Sequence, residues 1–179
     1  MVVMDGFAHK GVDNQAHEGK TNVWLTPRFI LDALGPFDLD PCAEPDWPVA
    51  TRSICLPTDG LKESWVGLVF MNPPYGKSTP QWLEKLARHG NGIALVFSRT
   101  DTKWFQRAAD QCSAMMFLSP RLTFLRPDHS FGTNSGCGSC LVAFGDVARA
   151  RLFQSKLRGV LMSTIKLCEA TPPPAGGRP

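Results

Sequence analysis

The chain has 179 residues, of which 43% are hydrophobic and 20% are charged, and its formal net charge at pH 7 is +3. These values are ordinary for a soluble protein with one hydrophobic core, and the small charge permits a nucleic-acid partner without indicating one. No apolar run approaches the ~20 residues of a membrane span, and residues 1–15 lack the long apolar core of a signal peptide. We therefore expect a cytoplasmic protein.

The two ends of the chain lack hydrophobic periodicity. Residues 1–21 are polar and contain glycine, which predicts a flexible N-terminal arm. Residues 169–179 end in the Pro/Gly-rich stretch TPPPAGGRP, which predicts a disordered tail. Residues 22–168 are expected to form a single domain.

The first predicted helix begins at Thr26-Pro27, with Thr26 as the N-cap and Pro27 at the first helical position. Gly35 is expected to end this helix. Residues 37–40 then form a short strand pattern that ends in Asp40. The apolar side chains of the helix are Phe29, Ile30, Leu31 and Leu34.

Three later segments are continuously apolar, namely residues 67–71, 93–97 and 114–118. Such runs are typical of buried parallel strands, and we expect the first to be central. Two helices are predicted between them, the first beginning near Ser78 or Thr79. Their buried faces are predicted to be Trp82, Leu83, Leu86 and Ala87 in the first helix, and Trp104, Phe105, Ala108, Ala109 and Cys112 in the second.

The end of the domain has a mixed pattern. Residues 122–125 and 140–144 are expected to pair as a hairpin across a Gly/Ser-rich loop, and the region near 149–162 has a helical pattern. Strands that alternate with helices predict an α/β fold with a doubly wound, mostly parallel sheet, to which the C-terminal antiparallel hairpin adds an edge. In such sheets the ligand binds beyond the carboxyl ends of the strands.

One strand end carries a rigid turn. Asn72 follows the buried run 67–71 and precedes Pro73, Pro74 and Tyr75, the only tyrosine in the chain. The two prolines fix successive φ angles, so the turn holds one amide side chain and one aromatic ring in place. The other candidate strand end is the sequence Asp40, Pro41, Cys42, Ala43.

The turn suits an amino group attached to a planar π system. Adenine N6 is a poor nucleophile because its lone pair is delocalised into the ring. Two acceptors, the Asn72 side-chain oxygen and the Pro73 carbonyl, can bind its two hydrogens and favour a pyramidal nitrogen that attacks a sulfonium methyl group in line. Catalysis would then consist of positioning and electrostatics, and Tyr75 can stack on the base.

Taken together, these motifs resemble the small phage and prophage DNA N6-adenine methyltransferases of the Dam superfamily. The resembling stretch runs from about residue 24 to residue 145. Its motifs, in chain order, are Trp24-Leu25-Thr26-Pro27, FDLDPCAEP, the TDGL of residues 58–61, MNPPYG, and the SRTDTKWF of residues 98–105. The resemblance implies a Rossmann-like methyltransferase fold, S-adenosyl-L-methionine as cofactor, DNA as partner and a bacterial host cell as location.

The resemblance also implies roles for individual residues. Asn72, Pro73, Pro74 and Tyr75 would be catalytic, and Phe124 would add a second aromatic wall beside Tyr75 for a base flipped out of the duplex. Cofactor contacts would come from Trp24, Thr26 and Pro27 at the methionine end, from the first-strand loop Asp40, Pro41, Cys42 and Ala43, and from Asp59 near the adenine.

The sequence departs from the wider methyltransferase pattern in one place. The first-strand loop DPCAEPDWP has no glycine, whereas most methyltransferases have a Gly-rich loop there. The NPPY turn is also compatible with methylation of cytosine N4 or of a protein glutamine, and with a catalytically inactive relative that binds cofactor or DNA. The chain is too short for a separate recognition domain, so target specificity is expected from short loops such as residues 126–138.

The cysteines and histidines show no ligand pattern. Cys137 and Cys140 form a single CxxC pair, whereas a zinc site needs about four ligands. We interpret the pair as the start of a strand and expect the six cysteines to be reduced thiols. No metal site is predicted.

Overall fold

The computed structural model of the protein describes residues 23–134 and 136–163. The predicted arm (1–21) and tail (169–179) lie outside these residues. The helices are α1 (Arg28–Leu34), α2 (Thr79–His89), α3 (Lys103–Gln111) and α4 (Asp146–Gln154). The strands are β1 (Phe37–Asp40), β2 (Ala50–Ser53), β3 (Val69–Met71), β4 (Gly92–Phe97), β5 (Ala114–Leu118), β6 (Thr123–Leu125), β7 (Phe131–Asn134), β8 (Ser139–Phe144) and β9 (Gly159–Ser163).

Seven of these strands form one mixed sheet in the order β2-β1-β3-β4-β8-β5-β9, in which five strands run in one direction and β8 and β9 run in the other. β1 is parallel to β2 and β3, and β3 is parallel to β4. β8 is antiparallel to both of its neighbours, β4 and β5, so β5 runs in the same direction as β4. The loops that follow β1, β3, β4 and β5 therefore meet at one edge, which we call the carboxyl edge.

Apolar side chains cover both faces of the sheet. In β3, Val69, Phe70 and Met71 are each at most 1% exposed. Val69 and Met71 pack in one cluster with side chains of α2 and α3, whereas Phe70 packs in a second cluster with side chains of α1 and α4. A strand covered on both faces must be apolar throughout, which explains the unbroken run. The prediction of a buried central strand is confirmed.

The predicted hairpin between residues 122–125 and 140–144 is wrong. β8 lies inside the large sheet between β4 and β5, and all six of its residues are buried. It pairs along its whole length with β4, because successive side chains complete the clusters on both faces. β6 pairs instead with β7 in a separate two-stranded sheet, and β9 forms the antiparallel edge of the large sheet.

Two predicted boundaries also change. α1 begins at Arg28 with Pro27 as its N-cap residue, and the Thr26 side chain makes no capping bond. The Thr26 backbone carbonyl instead accepts a hydrogen bond from the Trp47 ring nitrogen. The helical region predicted near 149–162 consists of α4 followed by β9, because residues 159–163 pair with β5. No helix among the described residues is long and apolar enough to span a membrane.

Candidate active site

A cleft of about 250 Å³ opens at the carboxyl edge of the sheet. Four parts of the chain line it: the segment before α1, the end of β1 with the loop that follows, the loop after β2, and the end of β3 with the turn that follows. Because β1 and β3 are parallel neighbours, their carboxyl ends bring the two motifs singled out in the sequence into one site. The lining residues are Val23, Trp24, Leu25, Thr26, Asp40, Cys42, Glu44, Trp47, Val49, Leu56, Phe70, Asn72, Pro73, Pro74 and Tyr75.

The side-chain amide of Asn72 is held from two sides. Its Nδ2 donates to the backbone carbonyl of Trp24 at 2.8 Å, and its Oδ1 accepts from the Tyr75 hydroxyl at 2.8 Å. A donor partner for the oxygen and an acceptor partner for the nitrogen distinguish the two ends of the amide. An amide oxygen has two lone pairs, so Oδ1 retains acceptor capacity for a further donor.

The rest of the turn is anchored to α2. The Thr79 hydroxyl donates to the Pro74 carbonyl and accepts from the Gly76 N–H, both at 3.0 Å. Thr79 is itself buried in the first turn of α2. Two prolines followed by this anchor leave the backbone between Asn72 and Gly76 little freedom.

The Tyr75 ring lies flat against Phe97, with ring centroids 4.1 Å apart and an interplanar angle of 17°. Phe97 is the last residue of β4, the strand beside β3. Burial raises the pKa of the Tyr75 phenol well above its ordinary value, so the hydroxyl stays protonated and donates to Asn72.

The loop after β1 contacts the turn directly. The Cys42 thiol donates to the Asn72 backbone carbonyl at 3.5 Å, and the Cys42 N–H donates to the Asp40 carboxylate at 3.1 Å. Asp40 is 5% exposed and has no cationic side chain within ion-pair distance among the described residues. Burial raises its pKa to about 6, despite the hydrogen bond from Cys42. A buried carboxylate of this kind favours a cationic ligand.

The opposite wall of the cleft depends on Trp47. Its ring nitrogen donates to the Thr26 carbonyl at 3.0 Å, and the Arg28 guanidinium lies 4.0 Å from its ring centroid. Leu25 also pairs with Leu125 through two backbone hydrogen bonds, which ties the segment before α1 to β6. These contacts place Trp24 and Thr26 on the cleft.

Five of the residues predicted for the site do not line the cleft. Phe124 is 3% exposed and lies edge-on behind Phe97, at 6.3 Å between ring centroids. Asp59 is exposed, pairs with Lys62 at 3.8 Å and accepts a hydrogen bond from the Leu61 N–H. The other three are Pro27, Pro41 and Ala43.

The loop that carries Asp59 nevertheless packs against the loop after β1. A Cβ atom on Gly60 would lie 1.8 Å from the Pro41 carbonyl oxygen, so only glycine permits this approach. The Lys85 ammonium holds the same loop by donating to the carbonyls of Gly60, Leu61 and Glu63, at 3.3, 2.8 and 2.6 Å. Desolvation lowers the pKa of Lys85. The TDGL motif therefore supports the loop after β1 through its backbone.

The sequence patterns did not indicate several residues of the site. Trp47 and Glu44 follow the DPCA motif, where the chain turns back over the cleft. Phe97 had a partial signal, because it is an aromatic residue at the end of the apolar run 93–97, and the side chains that end such runs are candidates for the site. Its stacking on Tyr75 depends on strand order, which the sequence pattern does not specify.

Comparison with known proteins provides one match. A family model described as DNA N-6-adenine-methyltransferase (Dam) matches residues 14–158. The match covers every residue predicted for the site, from Trp24 to Phe124, and every strand except β9. A search of the curated proteins found no match, and a search of the solved structures found none.

Proposed function

Because the chain belongs to the DNA N-6-adenine-methyltransferase (Dam) family, we propose that it transfers a methyl group from S-adenosyl-L-methionine to N6 of adenine in DNA. The observation that carries this proposal is the direct contact between the NPPY turn and the loop after β1 inside one cleft. A methyl donor bound at the loop after β1 and an amino group bound at the NPPY turn would then lie next to each other. The single domain would span residues 22–168, on a Rossmann-like methyltransferase fold.

The cofactor would bind on the β1 side of the cleft. S-adenosyl-L-methionine supplies an electrophilic methyl group on a cationic sulfonium and also carries an ammonium group. The buried Asp40 carboxylate offers a negative charge with no cationic partner among the described residues, which favours a cationic ligand. Trp24, Thr26 and Cys42 also line this part of the cleft.

The acceptor nitrogen would bind at the turn. Asn72 Oδ1 has a lone pair left after its bond with Tyr75, and the Pro73 carbonyl accepts no hydrogen bond from the described residues. Two acceptors held by the prolines and by Thr79 can take the two N6 hydrogens without rearranging. Preorganised partners of this kind stabilise a transition state more than they stabilise the bound substrate.

Cations on the carboxyl edge of the sheet offer candidate contacts for the phosphates of DNA. The loops after β3, β4 and β5 and the start of α3 carry four exposed cations, and none forms an ion pair among the described residues. Asp101 is the acidic residue of these segments, whereas the loop after β1 carries Glu44 and Asp46. Because N6 of a paired adenine is engaged in Watson–Crick bonding, the enzyme must extrude the base or act on single strands. The four cations are Lys77, Arg99, Lys103 and Arg121.

The proposal is tested by methyl transfer from radiolabelled S-adenosyl-L-methionine to unmethylated DNA, RNA and protein in parallel. Label in DNA, recovered as N6-methyladenine after digestion, supports the proposal. Label recovered as N4-methylcytosine or in protein glutamine would replace it with one of the alternative acceptors. Cofactor binding without transfer to any acceptor would indicate an inactive relative.

A further inference from the structure

Tyr75 is held in one plane by Phe97, and this contact has a consequence for the bound base. The two ring centroids are 4.1 Å apart with nearly parallel planes. A base inserted between two rings needs roughly 7 Å between their planes, twice the ~3.5 Å of one carbon–carbon contact. The two rings therefore leave no room for a base between them, and a base can stack only on the face of Tyr75 that points away from Phe97.

Phe97 is in turn fixed by the core. It is the last residue of β4 and pairs with Ser139 of β8, so its backbone belongs to the central sheet. Its ring meets the buried Phe124 edge-on, at 6.3 Å and 86°. Phe124 therefore orients Phe97 and, through it, Tyr75. The resemblance implied that Phe124 forms a wall for the base, whereas Phe97 and Tyr75 lie between Phe124 and the face on which the base would stack.

The hydroxyl of Tyr75 gives the ring a second fixed point. It donates to Asn72 Oδ1 at 2.8 Å, so the ring is held across its face by Phe97 and at its tip by the amide oxygen. A ring constrained at both points has a defined distance from Oδ1. A base stacked on it has its amino group directed by the same contacts.

We propose that Phe97 is a positioning residue, whose ring holds Tyr75 in the plane on which the target adenine stacks, in the order Phe97, Tyr75, base. This proposal rests on the proposed function. Phe97 acts through Tyr75 and does not touch the base. Loss of the Phe97 ring leaves Tyr75 free to tilt, which lowers the rate of transfer from bound DNA and leaves cofactor affinity unchanged.

The test compares Phe97→Leu with Phe144→Leu, which removes a buried ring from the opposite end of the same sheet, where Phe144 pairs with Gly92. Both variants lose core packing, but only Phe97→Leu loses the contact with Tyr75. We expect kcat on DNA to fall about 2- to 10-fold more in Phe97→Leu than in Phe144→Leu, the range of an aromatic pair. The KM for S-adenosyl-L-methionine should stay unchanged in Phe97→Leu. Phe97→Tyr, which keeps an aromatic ring at this position, should retain the wild-type kcat.

A second measurement needs no activity. Tyr75 is the only tyrosine of the chain, so selectively labelled tyrosine reports this ring alone in an NMR spectrum. The upfield ring-current shift of Tyr75 should be lost in Phe97→Leu and kept in Phe144→Leu. An unshifted Tyr75 signal in the wild type, or equal kcat in the two Leu variants, would overturn the proposal. Wild-type protein that methylates no DNA would overturn the proposed function instead, while the NMR arm still decides whether Phe97 holds Tyr75.

Discussion

At the scale of single residues, the Asn72 amide is the group whose loss we expect to cost most. Asn72→Ala removes an acceptor that Trp24 and Tyr75 hold in place, and the transfer rate should fall ~10²–10³-fold, as for one preorganised polar partner. Tyr75→Phe keeps the stack on Phe97 and loses only the hydroxyl bond, so its effect should be milder. Single-turnover transfer to DNA measures both, and a near wild-type rate for folded Asn72→Ala would refute the mechanism.

Asp40 gives a pH dependence with a definite sign. Its carboxyl ionises near 6 in the folded protein, whereas the ordinary value is 3.8, so unfolding releases a proton between these values. The contribution of Asp40 to the free energy of unfolding therefore decreases as the pH rises from about 4 to about 6, and it is constant above about pH 6. The decrease is on the order of 2–3 kcal/mol. Urea unfolding of the ligand-free protein at several pH values should show this decrease in wild type but not in Asp40→Asn.

At the scale of elements, the contact between the loops after β1 and after β2 can be tested with one methyl group. Gly60→Ala places a Cβ 1.8 Å from the Pro41 carbonyl oxygen, so one of the two loops must move. We expect a loss of about 1–3 kcal/mol in the free energy of unfolding, typical of overpacking, together with weaker cofactor binding. Gly136→Ala is the control, because its Cβ meets no atom within 4 Å. Unchanged stability and cofactor affinity in Gly60→Ala would show that the loop after β2 does not support the loop after β1.

At the scale of the whole molecule, the cations of the carboxyl edge predict how DNA binding depends on salt. If Arg99 and Lys103 contact phosphates, the double variant with Gln at both positions should bind DNA more weakly. Its slope of log affinity against log salt should be smaller by about 1 to 2. Arg149→Gln is the matched control, since Arg149 pairs with Asp146 at 3.1 Å on α4, which begins at the opposite edge. Equal slopes for the wild type, the double variant and Arg149→Gln would show that Arg99 and Lys103 do not contact DNA phosphates.

Local patterns in the sequence were enough to predict the elements that build the site. The unbroken apolar runs identified β3, β4 and β5, because strands covered on both faces exclude polar residues. The helical spacing of apolar residues identified α2 and α3, and the strand ends then indicated the NPPY turn and the loop after β1 as neighbours. These predictions depended only on short-range periodicity and on the stiffness of proline.

What the tertiary structure decided is the pairing of distant segments. Residues 140–144 are apolar in any arrangement, and only the space between β4 and β5 made them part of an interior strand and not a hairpin partner. β2 was missed because it is a largely exposed edge strand with little apolar signal. The stack of Tyr75 on Phe97 joins side chains from two different strands. Such contacts are set by strand order and side-chain volume, and a local pattern contains neither.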